Sequence, residues 1–512
     1  MLPPSYLDQM PDAFVQLWQQ VEDEILQDVA RRIGKMDAVT PTANWQLWRY
    51  QQTEALRNDV VKLLAKYTGK SEAAIRRLLL QAATEAMERE DAIYYHYGKE
   101  PQPFEESAAL NNLLDAGARQ TCGTWQNLTA TTANTVTGAF ERTLDAAWLK
   151  VSTGAFDYKT AVKQAVDSLA DDMPMVTYPS GHTDSIEVAA RRAVLTGVNQ
   201  TAGKLQEARM DEMGCEFVET SAHGGARPSH AAWQGRRFHR GGAVDYLGKH
   251  YPDFEAATGY GTGAGLCGWN CRHTFFAVFP ELGDPPQWTQ EQLRELNARD
   301  IEWNGKKYTA YEISQMQRAR ERNVRRWKKR YLAEDAAGLD PTDSAVRLKA
   351  ARQSLAEFAQ ATGGRVDSAR TSVPKFGRSE GSKASWAAKG YEKQQKDAII
   401  IENLRTAAKL PKAAVIHLEP TKINVDALTF DDAHINAERE HRVSEEQAKQ
   451  YIRNSKISVS VWNGQFERYY GTEGAAYVNT IKHEIRTTYS RAEFDENTTA
   501  LIEEMKKNGI LG

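Results

Sequence analysis

Four side chains able to hold a metal fall close together between Thr220 and Pro280: His230, Cys267, Cys271 and His273. Two thiols and two imidazoles can enclose zinc in a closed tetrahedral site, so a structural zinc is the one cofactor the sequence suggests. The C-x3-C-x-H spacing is not that of the common zinc fingers. A buried Cys/His cluster satisfied by hydrogen bonds is the alternative reading. No P-loop, G-x-S-x-G or H-E-x-x-H motif occurs. No cysteine follows Cys271, which excludes thiol chemistry beyond that point.

The elements around these residues must turn tightly. Gly224, Gly225 and Gly235 precede the thiols, and Gly259, Gly261, Gly263, Gly265 and Gly268 surround them. Glycine allows close backbone approaches, so a compact β-containing knot is expected over 215–285. Strands over 216–222 (EFVETSA) and 275–282 (FFAVFPEL) would frame it. Helices are expected before it, over 1–214. Residues 5–35 carry an apolar stripe at Phe14, Leu17, Trp18, Val21, Ile25, Val29 and Ile33. Further helices should run from Asn44 to Gly69, from a Ser71 cap to about Ile93, and over 127–154, 157–172 and 184–214. A second helical region, 286–366, follows the knot. The Ser/Gly/Lys/Arg-rich segment 367–399 reads as a linker, and 400–512 as a separate small domain. The expected fold class is α+β, mostly helical at the start.

The 512 residues include 65 basic and 68 acidic side chains, a net charge of −3, so global charge selects no partner. Four cysteines suit a reducing cytoplasm and make no disulfide framework. No apolar run approaches the ~18–20 residues of a membrane span. MLPPSYLDQMPD has neither the basic nor the apolar part of a signal peptide, so none is expected. The tract from Arg318 to Arg330 carries eight basic residues against one acid. Clustered positive charge of this kind suits contact with packaged DNA. The alternative is a solvated helix with Val324, Trp327 and Tyr331 turned inward.

RPSHAAWQG (227–235), followed by GYGTGAGLCGWNCRH (259–273), resembles the minor capsid, or head-morphogenesis, proteins of tailed bacteriophages, the Mu F-like group. QTCGTWQNLT (120–129) and YPSGHTDSIEVAARRAVLTGVNQT (178–201) extend the resemblance over most of residues 1–370. It implies a virion protein made in the host bacterial cytoplasm and sited inside the capsid near the portal. The portal protein and major capsid or scaffold proteins are its implied partners. Some members of the group leave the particle with the DNA.

The last domain changes character. AAVIHLE (413–419) and KISVSVW (456–462) have strand composition, and Asn463-Gly464 signals a hairpin into QFERYYG. Ser444 and Gln447 form a capping box, and a terminal helix follows Asp495. With DDAHINAEREH (431–441), YYGTEGAAYVN (469–479) and IRTTYS (485–490), this layout resembles nuclease-like domains fused to phage capsid proteins. Those domains share the barnase, EndoU, colicin and RelE toxin fold, which implies host RNA as substrate. Metal-free RNA cleavage needs a base, an acid and a cation for the phosphorane charge. His434 and His441, two turns apart on one helix face, would supply base and acid, with Glu438 orienting His434. Arg486 would supply the cation. Tyr470 and either Thr487 or Thr488 would donate hydrogen bonds to the phosphate, with Thr488 preferred because strand alternation puts it on the Arg486 face. Alternatively, the histidines are surface residues and Arg486 pairs with Glu473 or Glu484.

Overall fold

A computed structural model describes residues 1–36, 42–173 and 175–511. The chain divides into two compact units, Met1–Ala388 and Lys389–Gly512. The fold is α+β, as expected, with helices dominating the first unit.

In the first unit, α1 (Asp12–Gly34), α2 (Thr42–His96), α3 (Ala108–Ser152), α4 (Tyr158–Asp172) and α5 (Ile186–Met213) share one core. The α1 stripe buries Phe14, Trp18, Val21, Ile25, Val29 and Ile33, and Trp18 meets Trp125 of α3 edge-on at 4.6 Å. α1 starts later than predicted, because Pro11 separates it from a short helix, Pro4–Gln9. α2 is one helix, without the predicted break at Gly69 and Ser71. Ser71 acts as no cap; its hydroxyl donates to the Tyr67 carbonyl at 2.8 Å. A mid-helix glycine costs only about 1 kcal/mol. The buried stripe Leu56, Val60, Leu64, Tyr67, Ile75 and Leu79 runs straight through the site and offsets it. α3 and α5 approach closely at two glycines. A Cβ on Gly117 would lie 2.2 Å from the Thr201 side chain, and one on Gly197 2.3 Å from that of Thr121.

The knot is built on β1 (Phe217–Thr220), the middle strand of a three-stranded antiparallel sheet. β2 (Arg237–His239) flanks it on one side and β3 (Phe275–Ala277) on the other, with Val218 opposite both Phe238 and Ala277. After the knot, α6 (Ala310–Ala336) and α7 (Thr342–Ala361) bury Trp327, Leu348 and Leu355. The segment expected as a linker contains a short helix, Ser368–Thr371, and the start of α8 (Arg378–Ala407). The division between the units falls within α8. Composition misled here because Ala384 and Ala388 bury against the Trp327 and Phe376 cluster.

The second unit holds six strands: β4 (Val415–His417), β5 (Thr429–Phe430), β6 (Ile457–Val461), β7 (Phe466–Tyr470), β8 (Gly474–Asn479) and β9 (Glu484–Ser490). Their order is β4-β6-β7-β8-β9-β5, antiparallel except for β5 against β9. Asn463 and Gly464 turn the β6–β7 hairpin with φ of 56° and 85°, the signature of the expected turn. Ser444 and Gln447 form the expected capping box of α9 (Glu445–Arg453). One sheet face buries Ile457, Val459 and Ala475 with Leu404 of α8 and Met505 of α10 (Glu496–Lys507). The other buries Ala476, Val478 and Ile485 with Ile435 and Ile452 of α9, so both faces are covered.

Candidate functional site

The knot brings three of its four expected metal ligands together. His230 sits on a short helix, Pro228–Ala231, and Cys271 and His273 lie just before β3; all three are buried. His230 Nδ1 and His273 Nδ1 are 3.4 Å apart, and Cys271 Sγ is 3.7 Å from each. The outer ring nitrogens are anchored. His230 Nε2 lies 3.0 Å from the Ala264 carbonyl, and His273 Nε2 lies 3.0 Å from Gln234 Oε1. Gln234 Oε1 also accepts the His223 backbone N–H at 3.1 Å, which identifies that atom as the oxygen. Both partners are pure acceptors, so each Nε2 carries the hydrogen and each Nδ1 presents a lone pair. Burial, followed by the nearby His223 and His230, pushes His273 down to about 2. Burial lowers His230 as well, and it raises the Cys271 thiol. The imidazoles are therefore neutral at pH 7.

Cys267 does not join them. Among the described residues, the ligand atoms within 4.8 Å of one another belong to His230, Cys271 and His273. Cys267 has a left-handed backbone, φ 60°, and its thiol lies 3.8 Å from the His273 carbonyl. The turn around it is tight: a Cβ on Gly265 would stand 1.9 Å from the Gly259 carbonyl oxygen. Sequence reasoning missed Gln234, the Ala264 carbonyl and His223, whose ring lies 4.4 Å from that of His273. Gln234 and Ala264 sit inside the two quoted motifs, but only the fold shows what they touch.

The second unit places the two expected histidines differently from a shared helix face. His434 and His441 share no helix. A wide helical turn, Ala433–Glu438, ends between them, and Glu440 and Arg442 are left-handed at φ 58° and 54°. His434 Nδ1 meets Glu438 at 2.8 Å, as expected, while its Nε2 is buried with no partner among the described residues. His441 Nδ1 meets Glu493 at 2.8 Å, and its Nε2 lies 3.2 Å from the Thr487 hydroxyl. Thr488 is not beside it: its buried hydroxyl donates to the Ala475 carbonyl at 2.9 Å. The reason is a β-bulge. Tyr477 pairs with Thr487 and Val478 with Ile485, so Arg486 is the extra residue and alternation fails there. Arg486 is half exposed, 3.6 Å from Glu484. Tyr470 begins a hydroxyl chain, 3.1 Å to Tyr477 and then 2.7 Å to Tyr489, and burial pushes its phenol up to about 12. Glu493 and Arg468, whose guanidinium lies 4.9 Å from the Tyr477 ring centre, were not singled out by sequence, and Thr487 was the alternative to Thr488. Arg468 is legible afterwards, two positions before Tyr470 and on the same strand face.

The basic tract on α6 is largely used inside its own unit. Arg325 pairs with Glu187 at 2.7 Å, Arg326 with Asp171 at 3.2 Å, Arg330 with Asp167 at 2.5 Å, and Lys329 with Glu22. Arg320 stacks on Phe358 at 4.0 Å. Arg318 and Arg322 make no ion pair among the described residues and line a cavity of about 350 Å³ with Arg191, Arg272 and Arg370 and with the acids Asp8, Asp12, Glu187 and Glu321. As expected for the alternative reading, Val324, Trp327 and Tyr331 are buried.

The first unit is a helical frame fastened by internal ion pairs, and the second is a small α+β unit. The chain belongs to the phage minor capsid protein 2 family, whose model matches residues 2–360. It is therefore a component of the virion. It is 27% identical over 255 residues to a "Structural protein" of Lactococcus phage LL-H. That stretch covers 46% of this chain and 63% of the relative, so the chain spans less than two thirds of the relative's length. No solved structure matches the chain. The family match ends at residue 360, before the second unit begins at Lys389. No helix among the described residues is long and apolar enough to cross a membrane.

Proposed function

We propose that this minor capsid protein is a Mu F-like head-morphogenesis component that sits inside the particle near the portal and carries a metal-independent ribonuclease in its second unit. Family membership supports the capsid half, and the portal and major capsid or scaffold proteins are its partners. Contact with packaged DNA narrows to Arg318 and Arg322, because the rest of the tract is mostly engaged. Cross-linking in purified particles should join residues of 1–388 to the portal protein. Cross-links to the major capsid protein alone would overturn the portal siting.

The observation that supports the enzymatic half is the environment of His441. Glu493 holds Nδ1, which leaves Nε2, now on the Thr487 hydroxyl, as the proton acceptor. Arg486 and Arg468 bring positive charge for the phosphorane. His434 would have to expose its buried, partnerless Nε2 to act as the proton donor to the leaving oxygen. Tyr470 and its hydroxyl chain complete the polar face. The full-length chain should cleave tRNA or rRNA in EDTA between pH 5 and 8, and His441→Ala and Arg486→Ala should each cut cleavage by about 10²-fold or more. Intact RNA throughout that range would remove the enzymatic half and leave the capsid role standing.

A further inference from the structure

We propose that His230 Nδ1, His273 Nδ1 and Cys271 Sγ bind one divalent cation, zinc by donor type, with a water in the fourth position and with Cys267 outside the coordination sphere. This goes beyond the capsid role and is independent of the ribonuclease reading.

The first support is the triangle itself. Zinc bonds of 2.0–2.1 Å to nitrogen and 2.3 Å to sulfur at tetrahedral angles put the nitrogens about 3.3 Å apart and sulfur about 3.6 Å from each. The observed edges are 3.4, 3.7 and 3.7 Å.

The second support is a count of hydrogens. Two Nδ1 lone pairs face each other, since both Nε2 hydrogens go to the Ala264 carbonyl and the Gln234 amide oxygen. Among the described residues the Cys271 S–H is the one donor facing them, and it can satisfy one lone pair. A metal-free centre therefore leaves a buried acceptor unpaired, and a cation satisfies all three atoms at once.

The third support is the surrounding scaffold. Metal-bound histidines donate their second ring N–H to a fixed acceptor, and both do so here. The His273 backbone N–H points at Cys271 Sγ at 3.4 Å, an arrangement that favours a thiolate. Asn199 of α5 donates from one amide nitrogen to the Cys271 carbonyl at 3.0 Å and to the His273 carbonyl at 3.1 Å, which clamps the two ligands in place. Two imidazoles and one thiolate select zinc over magnesium or calcium. On binding, the Cys271 S–H bond breaks, its proton leaves to solvent, and the sulfur–metal bond forms. The cation would join residues 41 positions apart in sequence.

The test uses the untagged full-length chain, dialysed against zinc and then gel-filtered. Elemental analysis should give about one zinc per chain. Cys267→Ser should keep it, Cys271→Ser and His273→Ala should lose it, and Gln234→Ala should weaken zinc affinity about 10–100-fold. Cobalt loading of the wild type should give strong four-coordinate visible bands with thiolate charge transfer that vanishes in Cys271→Ser. Circular dichroism controls for folding, and the wild-type reading needs no variant. Metal-free wild-type protein would overturn the site. Equal loss in Cys267→Ser and Cys271→Ser would overturn the three-ligand set in favour of a closed four-ligand one. Neither result bears on RNA cleavage.

Discussion

The two units treat charge in opposite ways. The first buries several of its ion pairs. Glu22 and Lys329 pair within the helical frame, fully buried Arg209 holds Asp91 at 2.8 Å, and the carboxylate of fully buried Glu334 receives Lys163. Its central imidazoles are buried and neutral. The second keeps its ion pairs in reach of water: Arg453 bridges Asp426 and Glu446, Arg486 leans on Glu484, and His441 meets Glu493. A buried ionic group makes its neighbours indispensable, because removing one partner strands the other. A solvated one costs little to disturb and stays free to exchange protons. The difference is the one the proposed reading requires between a frame and a reactive surface, and it can be attacked from either side.

The largest effect should come from stranding a buried charge. Glu22 is 4% exposed, accepts the Glu187 backbone N–H at 3.2 Å and pairs with Lys329. Burial alone would raise its carboxyl, but Lys329 and the Glu187 N–H hold it below the ordinary range. Adjacent Asp23 gives little relief, since burial pushes its carboxyl up to about 7. Glu22→Ala should destabilise the first unit by about 3–5 kcal/mol in denaturant unfolding, with the transition of the second unit unmoved. A loss under about 1 kcal/mol, the worth of a surface pair, would erase the contrast between the units.

The next effect tests the reactive side. His441→Ala should lower RNA cleavage by about 10²–10⁴-fold, the usual contribution of a positioned base, with little change in stability. A variant that unfolds the second unit would make His441 a structural residue like His273.

Much of this contrast was written where local pattern decides structure. The α1 stripe, the Asn463-Gly464 turn and the Ser444 cap follow from spacing and turn chemistry alone, and all three appear. The side-chain types of the buried cluster were legible, but how many of them come together was not. Cys267 differs from Cys271 by a left-handed backbone forced among crowded glycines, which spacing does not encode. Thr487 replaced Thr488 for a similar reason: a bulge inserts Arg486 and breaks the two-residue period. How much of the basic tract is engaged internally was not legible, because its partners, Glu22, Asp167 and Glu187, lie far off in sequence and only tertiary packing brings them in. Gly69 and Ser71 misled because a continuous buried stripe outweighs two weak breakers.

The smallest effect is the most discriminating for the second unit, because it turns on pH. Burial would raise the Glu493 carboxyl, but hydrogen bonds from His441 and Ser490 outweigh it and hold the group below its ordinary 4.5. A carboxyl with a lower pKa in the folded chain stabilises the fold fully above the unfolded value. That stabilisation is lost as the pH falls through the folded value. The Glu493 side chain is 34% exposed, so solvent screening limits the gain to about 0.5 kcal/mol. Glu493→Gln should therefore unfold slightly more easily than wild type above about pH 5, and the two curves should merge below about pH 4. A gap unchanged at pH 3 would mean that Glu493 acts through packing and not through charge. The His441 pair would then belong with the buried groups of the first unit, and the contrast between frame and reactive surface would fail at the residue that matters most to it.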